Sequence, residues 1–316
     1  MRRRIPVLLL AMALIVAACG PSVEDNSNGS TTGSSTTTTG PTSTPSSSPG
    51  IETTVPDGTT TTTAVPNQVT VAAYFFMDDT TTTSRPGPFL VPVARNVPES
   101  SDPVTAALSE LLRGPTEAEK DSIPAITTAI PDNTLLLGVS LVDGIATVDL
   151  SLEFESGGGS ASMFGRLAQM VYAVTQFPQI TSVVFQLDGQ PVTVFSNEGI
   201  LIEGPAGRDD YLDQAPGILV DIPAYGSALG NPAHISGSAA VFEAVFRAVI
   251  TDNDGLILVD TQVMTDNGMG WGSFDTTIPY EVEEAQWGSL IVWENSAKDG
   301  SQINLREYPV WLMPAP

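Results

Sequence analysis

Two Asp-Gly dipeptides, Asp143-Gly144 and Asp188-Gly189, constrain this 316-residue chain more than any other feature. Each lies between short runs of alternating apolar residues, and a two-residue Asp-Gly loop suits the type I′ turn whose twist matches an antiparallel hairpin. Side chains alternate faces with a period of two, so such a loop fixes every pair beyond it. Over residues 134–150 it pairs Leu141 with Ala146, Val139 with Val148 and Leu137 with Leu150 on one face, and Ser140 with Thr147 on the other. Beyond the second turn it pairs Phe185 with Val192 and Val183 with Val194.

A helix precedes each hairpin. The first has Ser101 or Asp102 as N-cap, Pro103 at the first helical position, an apolar stripe of Val104, Ala107, Leu108, Leu111 and Leu112, and Gly114-Pro115 as its stop. The second is expected from about Ser162 to Gln176, with Phe164, Leu167, Ala168, Val171 and Val174 at helical spacing and Pro178 behind it. A strand at Val69 to Met77 and an extended stretch at Phe89 to Val97 come before both. The order helix, strand, turn, strand occurs twice and predicts an antiparallel or mixed sheet with two helices on one side, an α+β layer fold. Gly157-Gly158-Gly159-Ser160 opens the second helix but lacks the phosphate-loop pattern, and no lysine occurs between Lys120 and Lys298. Its main role is to let the chain turn into the helix, with a weak anion site as the lesser alternative.

From Pro216 the texture changes to short strands and frequent turns. Strands are expected near Ile218 to Ile222, Ala233 to Ser238, Val241 to Thr251, Leu256 to Met264, Gly272 to Ile278, Ser289 to Trp293 and Ile303 to Trp311. Seven short strands predict an all-β sandwich of immunoglobulin type. Trp271, Trp287, Trp293 and Trp311 suit its core or, less commonly, an exposed face for sugars or peptides. His234, the single histidine, lies two residues from Ser236 on a predicted strand without visible charge-relay geometry, so a structural or surface role is the stronger reading. Asp252-Asn253-Asp254-Gly255 resembles a calcium loop in part but lacks its distal glutamate, and a hairpin turn explains it better. Nothing singles out a catalytic residue, a metal site or a cofactor site.

The N-terminus sets the compartment. Arg2, Arg3 and Arg4 precede an apolar run from Ile5 to Ala18, too short to span a membrane comfortably, which closes on Val16-Ala17-Ala18-Cys19-Gly20. This ending resembles the lipobox of bacterial lipoproteins, which implies cleavage of a signal peptide at residues 1–18 and a diacylglycerol on Cys19. An ordinary signal or an uncleaved anchor with an incidental cysteine is the alternative. Cys19 is the sole cysteine, so no internal disulfide forms. Residues 19–66 form a Ser/Thr/Pro-rich linker, expected to be disordered, in which Gly20 to Pro66 carry four acids and no basic or aromatic residue. As a random coil it spans about 35 to 40 Å, and its threonine runs are either glycosylated or a bare spacer. Removing residues 1–18 leaves nine basic and thirty-six acidic residues, a formal charge of −27. Such a surface excludes nucleic acid as a partner.

Two resemblances extend this account. Residues 136–151, Gly158 to Ser162, Arg166 to Tyr172, Thr175-Gln-Phe-Pro178 and Val183 to Gly189 resemble the GerMN domain of bacterial sporulation and germination proteins, over about Asn67 to Ile202. Pro223, Pro232, His234-Ile-Ser-Gly237, Phe242 to Val245, Asp254-Gly255 and Gly272-Ser-Phe274 are similar to the immunoglobulin-like domain of bacterial spore germination proteins. They imply an α+β GerMN-like domain at 67–212 and the sandwich at 216–316, neither with a catalytic residue to carry over. The expectation is therefore a non-catalytic accessory protein, lipid-anchored through Cys19 at the extracytoplasmic face of the cell membrane, whose partner is an envelope protein or a wall polymer. A carboxylate-dependent wall hydrolase and a plain structural spacer are the alternatives. A deep cleft with paired carboxyl groups separates the hydrolase from the binder, which needs only a shallow or apolar patch.

Overall fold

The computed structural model describes residues 67–78, 87–99 and 102–316. Cys19, the linker and Ser101 lie outside them. The chain opens on an antiparallel ribbon of β1 (Gln68–Met77) and β2 (Phe89–Pro98), paired without a break from Gln68 with Pro98 to Met77 with Phe89. Val71 to Met77 are buried in succession, so this ribbon is covered on both faces. Val71 and Val97 pack on Ala107 of helix α1 (Pro103–Arg113), whose N-cap is Asp102. Asp102 accepts the Thr105 N–H at 3.0 Å. A four-residue helix α2 (Glu117–Lys120) and the short β3 (Ile126–Thr127) follow, and β3 pairs only with Phe76 and Met77 of β1.

The remainder of β1's outer edge is covered by helix α3 (Ser160–Val174) and the residues just past it. Gln176 accepts the Ala72 N–H at 2.8 Å and donates to the Ala72 carbonyl at 2.9 Å. Gln169, fully buried, donates to the Tyr74 carbonyl at 2.7 Å and accepts the Ala129 N–H at 2.8 Å. Two amide side chains seven residues apart thus supply the hydrogen bonds that a neighbouring strand would have made. Arg166, also buried, donates to the carbonyls of Ala129 at 2.9 Å, Phe154 at 2.8 Å and Gly157 at 2.7 Å. It pins the glycine loop to the helix it opens, and Ser160 donates to the Glu198 carboxylate at 2.7 Å.

Strands β4 (Leu136–Val142), β5 (Ile145–Leu150), β6 (Ser182–Leu187) and β7 (Gln190–Pro191) form a mixed sheet, in which β5 and β6 run parallel with α3 as their crossover. The layer expected as one sheet is therefore divided in two. Asp143 and Gly144 take φ of 49° and 79°, as a type I′ turn needs. Leu141 with Ala146 and Val139 with Val148 pair as expected. Leu137 does not pair with Leu150: a bulge between Leu136 and Gly138 brings Leu136 opposite Leu150 and leaves Leu137 half exposed. In the second hairpin the Val192 N–H bonds to the Phe185 carbonyl, but Val183 pairs with Ala206 in place of Val194. Val194 belongs to a separate ribbon, β8 (Val194–Phe195) with β9 (Ile200–Leu201). Helix α3 begins two residues earlier than its spacing suggested, and Phe164, expected in its stripe, is exposed although every other residue from Met163 to Val174 is buried.

A 3₁₀ segment (Arg208–Gln214) leads to the sandwich. Its three-stranded sheet orders β10 (Ile218–Ile222), β12 (Ala233–Ala240) and β15 (Trp271–Ile278), numbering past a two-residue β11 (Ala228–Leu229). The five-stranded sheet adds β13 (Val245–Asp252), β14 (Ile257–Met264), β16 (Gln286–Asn295) and β17 (Gln302–Leu312) in the order β11-β17-β16-β13-β14. All seven expected strands are present. One continuous cluster of buried residues runs from Tyr74 and Phe76 through Ile218 and Leu219 to Tyr308 and Val310.

Gln169→Leu keeps the volume but strips partners from the Tyr74 carbonyl and the Ala129 N–H. Denaturant unfolding of this variant is expected to show a loss of about 1–3 kcal/mol, whereas Ser109→Ala, on the exposed side of α1, should change little.

Candidate functional site

Arg208 lies where the two halves of the fold meet. Its Nη1 is 2.7 Å from Asp221 Oδ2 on β10, its Nε donates to Thr175 Oγ1 at 2.9 Å, and its Nη2 donates to the Tyr74 hydroxyl at 3.2 Å. The guanidinium stands 4.6 Å above the Tyr172 ring and 5.6 Å from that of Tyr74. Tyr74 donates to Asp221 Oδ1 at 2.5 Å, so the carboxylate has both oxygens engaged. Burial, reinforced by the Asp221 charge, raises the Tyr74 hydroxyl well above the usual tyrosine range. Burial opposes the charge on Arg208, but the opposing groups prevail and its net shift is upward. A second seam lies along β2, where the Ala94 N–H bonds to the Tyr225 carbonyl at 2.9 Å and the Tyr225 N–H to the Pro92 carbonyl at 2.8 Å. Arg306 of β17 donates to the Leu90 carbonyl at 2.8 Å.

Two clefts flank the Arg208–Asp221 pair. The larger, about 810 Å³, is lined by Gln176, Phe177, Arg208 and Asp221 on one side and by His234, Ser236 and Asp275 on the other. The second, about 570 Å³, runs from Tyr172 to Asp266 and Trp271. A serine, a histidine and an aspartate therefore share a cleft, yet they do not form a triad. His234 Nε2 contacts Asp275 at 3.0 Å with both side chains largely exposed, and among the described residues no hydrogen bond joins Ser236 to His234. The sequence placed His234 and Ser236 on one face correctly but gave no sign of Asp275, forty-one positions from His234. Arg208 and Asp221, which organise the clefts, were likewise missed; Arg208-Asp209-Asp210 carries no motif, and Asp221 looks like any acid at a strand end.

The other sequence candidates resolve individually. Asp252 Oδ1 accepts the N–H groups of Asp254 and Leu256 at 2.9 and 2.8 Å, so the Asp252 to Gly255 segment is a hairpin turn capped from within. Among the described residues no cluster of three His, Cys, Asp or Glu could hold a metal ion, and no helix is long and apolar enough to cross a membrane. None of the four tryptophans lies in the core: Trp271 and Trp293 are half-buried, and Trp287 and Trp311 are exposed. Strand β4 also presents apolar surface, with Leu137 50% and Leu141 46% exposed beside Leu135 and Val142.

Comparisons with known proteins agree with this architecture. Residues 72–193 match the Germane family, described as sporulation and spore germination, and residues 217–301 match Gmad2, the immunoglobulin-like domain of bacterial spore germination. The chain thus carries a GerMN-like region followed by an immunoglobulin-like one, and neither family description names a reaction. Among solved structures, the first GerMN domain of the sporulation protein GerM from Bacillus subtilis is similar at 19% identity and a TM-score of 0.36, over 44% of this chain and 99% of that one. The tandem GerMN domains of the same protein match at 13% identity and a TM-score of 0.36, over 67% of this chain and 62% of that one. A protein designated a lipoprotein, from Clostridium perfringens, matches at 22% identity and a TM-score of 0.31, over 47% of this chain and 93% of that one. No curated protein sequence matches the chain.

Asp221→Ala leaves Arg208 and the Tyr74 hydroxyl without their acceptor. The expected loss on denaturant unfolding is about 2–4 kcal/mol, below the full cost of a deeply buried pair because both side chains keep some exposure. The raised Tyr74 adds a pH signature. The unfolded chain releases the tyrosine proton near pH 10 while the folded chain holds it, so stability is intact below pH 10 and falls above it. Tyr74→Phe should reduce that fall without removing it, because burial also raises Tyr172 and Tyr308, as measured by unfolding between pH 8 and 11.

Proposed function

We propose that this protein is a non-catalytic binding component of a bacterial cell envelope, anchored by an acyl group on Cys19 at the outer face of the membrane. Residues 20–66 serve as the spacer that carries the folded region away from the lipid surface, and the partner is an envelope protein or a wall polymer. The observation that carries the non-catalytic reading is the state of the carboxylates in the larger of the two clefts beside Arg208. Asp221 is engaged on both oxygens by Arg208 and Tyr74, which leaves Asp275, on the rim beside His234, as the one carboxylate of that lining open to solvent. Glycoside hydrolysis needs two carboxyl groups available to substrate, one as acid and one as base or nucleophile. Binding needs only accessible complementary surface, which the apolar edge of β4 and the exposed tryptophans provide. The two spore germination family matches support an accessory role and name no substrate.

The anchor rests on the residues that end in Ala17-Ala18-Cys19. Expressed in a bacterium that processes lipoproteins, the wild-type chain should incorporate a clickable fatty acid and lose its first eighteen residues. Cys19→Ser should abolish the label and leave the precursor at its full mass; a label that persists in Cys19→Ser rules the anchor out.

A further inference from the structure

On the five-stranded sheet, the burial of β16 alternates residue by residue. Gly288, Leu290, Val292 and Glu294 turn inward, and Trp287, Ser289, Ile291 and Trp293 turn away from the core. Trp287 sits directly opposite Trp311 of β17, the two rings edge to face at 5.4 Å, with 48% and 36% of their surfaces exposed. A groove of about 520 Å³ runs beside Trp287, bounded by the Asp252 to Gly255 turn, Ser289, Glu307 and Pro309. Ser289 donates to Glu307 Oε1 at 2.5 Å, and the second carboxylate oxygen takes no hydrogen bond among the described residues. Arg247, a cation on the same outward face, is held by Asp260 of β14.

We infer that this groove is a glycan-binding site, with Trp287 as the stacking surface, Trp311 buttressing it edge to face, and Glu307 and Asn253 as hydroxyl partners. This deepens, and rests on, the reading of the protein as an envelope binder. The chemistry selects the ligand. An exposed indole offers a flat apolar face with a polar N–H at its rim, which suits the C–H face of a pyranose ring whose hydroxyls radiate outward. Glu307 then accepts and Asn253 both donates and accepts. The acidic wall excludes phosphate-bearing or carboxylated polymers, since the cation on this face is already paired. The ligand is therefore a neutral or amino-bearing sugar chain. A peptide would find no open strand edge here, because β16 is paired on both sides.

The test uses the full mature protein in detergent, titrated separately with the tetramers of β-1,4-linked N-acetylglucosamine, β-1,4-linked glucose and mannose, and with a lysine-rich peptide. Tryptophan fluorescence and calorimetry provide the readouts. The expected result is saturable binding of at least one sugar with an emission shift, weakened tenfold or more by Trp287→Ala or Trp311→Ala and several-fold by Glu307→Gln. Met269→Ala, on the exposed loop before β15, should leave it unchanged. Glu307→Gln hardly alters volume, so its effect separates lost recognition from lost folding. The inference is overturned when no sugar binds, when the sugar affinity survives all three groove substitutions, or when the peptide alone occupies the groove. In-cell crosslinking that still captures an envelope protein in that event would leave the broader reading standing, whereas a failed anchor test would remove it.

Discussion

A single guanidinium joins three stretches of chain that are remote in sequence. Arg208 follows the GerMN-like region, Tyr74 lies near the start of that region, and Asp221 is on the first strand of the sandwich. A charge in such a place is tolerable only when most of its donors are engaged, and here they reach a carboxylate, two hydroxyls and a carbonyl between two aromatic rings. Once this set is satisfied, the 3₁₀ segment Arg208–Gln214 has one place to be, and β10 is held against the side of β1 and β2. The Tyr225 and Arg306 bonds to β2 add a second line of attachment. The two regions share a core as a result, where the usual expectation for neighbouring domains is relative motion.

The same economy of polar groups appears inside the first region. The outer edge of β1 is largely unpaired by strands, and an open edge invites association with other chains. Gln169 and Gln176 close it from a helix. Both glutamines fall within the residues that carry the GerMN resemblance, which gives those residues a physical role: they complete a sheet edge and, with Arg166, pin a loop.

Local signals were legible in the sequence because local geometry generates them. The Asp-Gly turns, the Asp102 cap with Pro103, and the short strands of the sandwich each depend on residues within a turn or two of one another. The failures have the opposite character. Leu137 fell out of register because the bulge between Leu136 and Gly138 is a backbone choice that leaves no trace in the apolar pattern. Val194 left β6 for a ribbon with Leu201 because Ala206, far along the chain, took its place. Arg208, Asp221 and Asp275 went unnoticed since each is defined by a partner that only the fold supplies. The tryptophans were weighed toward the core on the habits of their residue type, and the register of Trp287 with Trp311 places them outside.

One consequence of the Arg208 seam separates this account from a picture of two beads on a string. Residues 67–316 sharing one core should unfold together. Differential scanning calorimetry of the mature protein should give one cooperative transition, with calorimetric and van't Hoff enthalpies equal. Two resolved transitions in the wild-type protein would contradict the shared core, and with it the claim that Arg208 binds the two regions into one body.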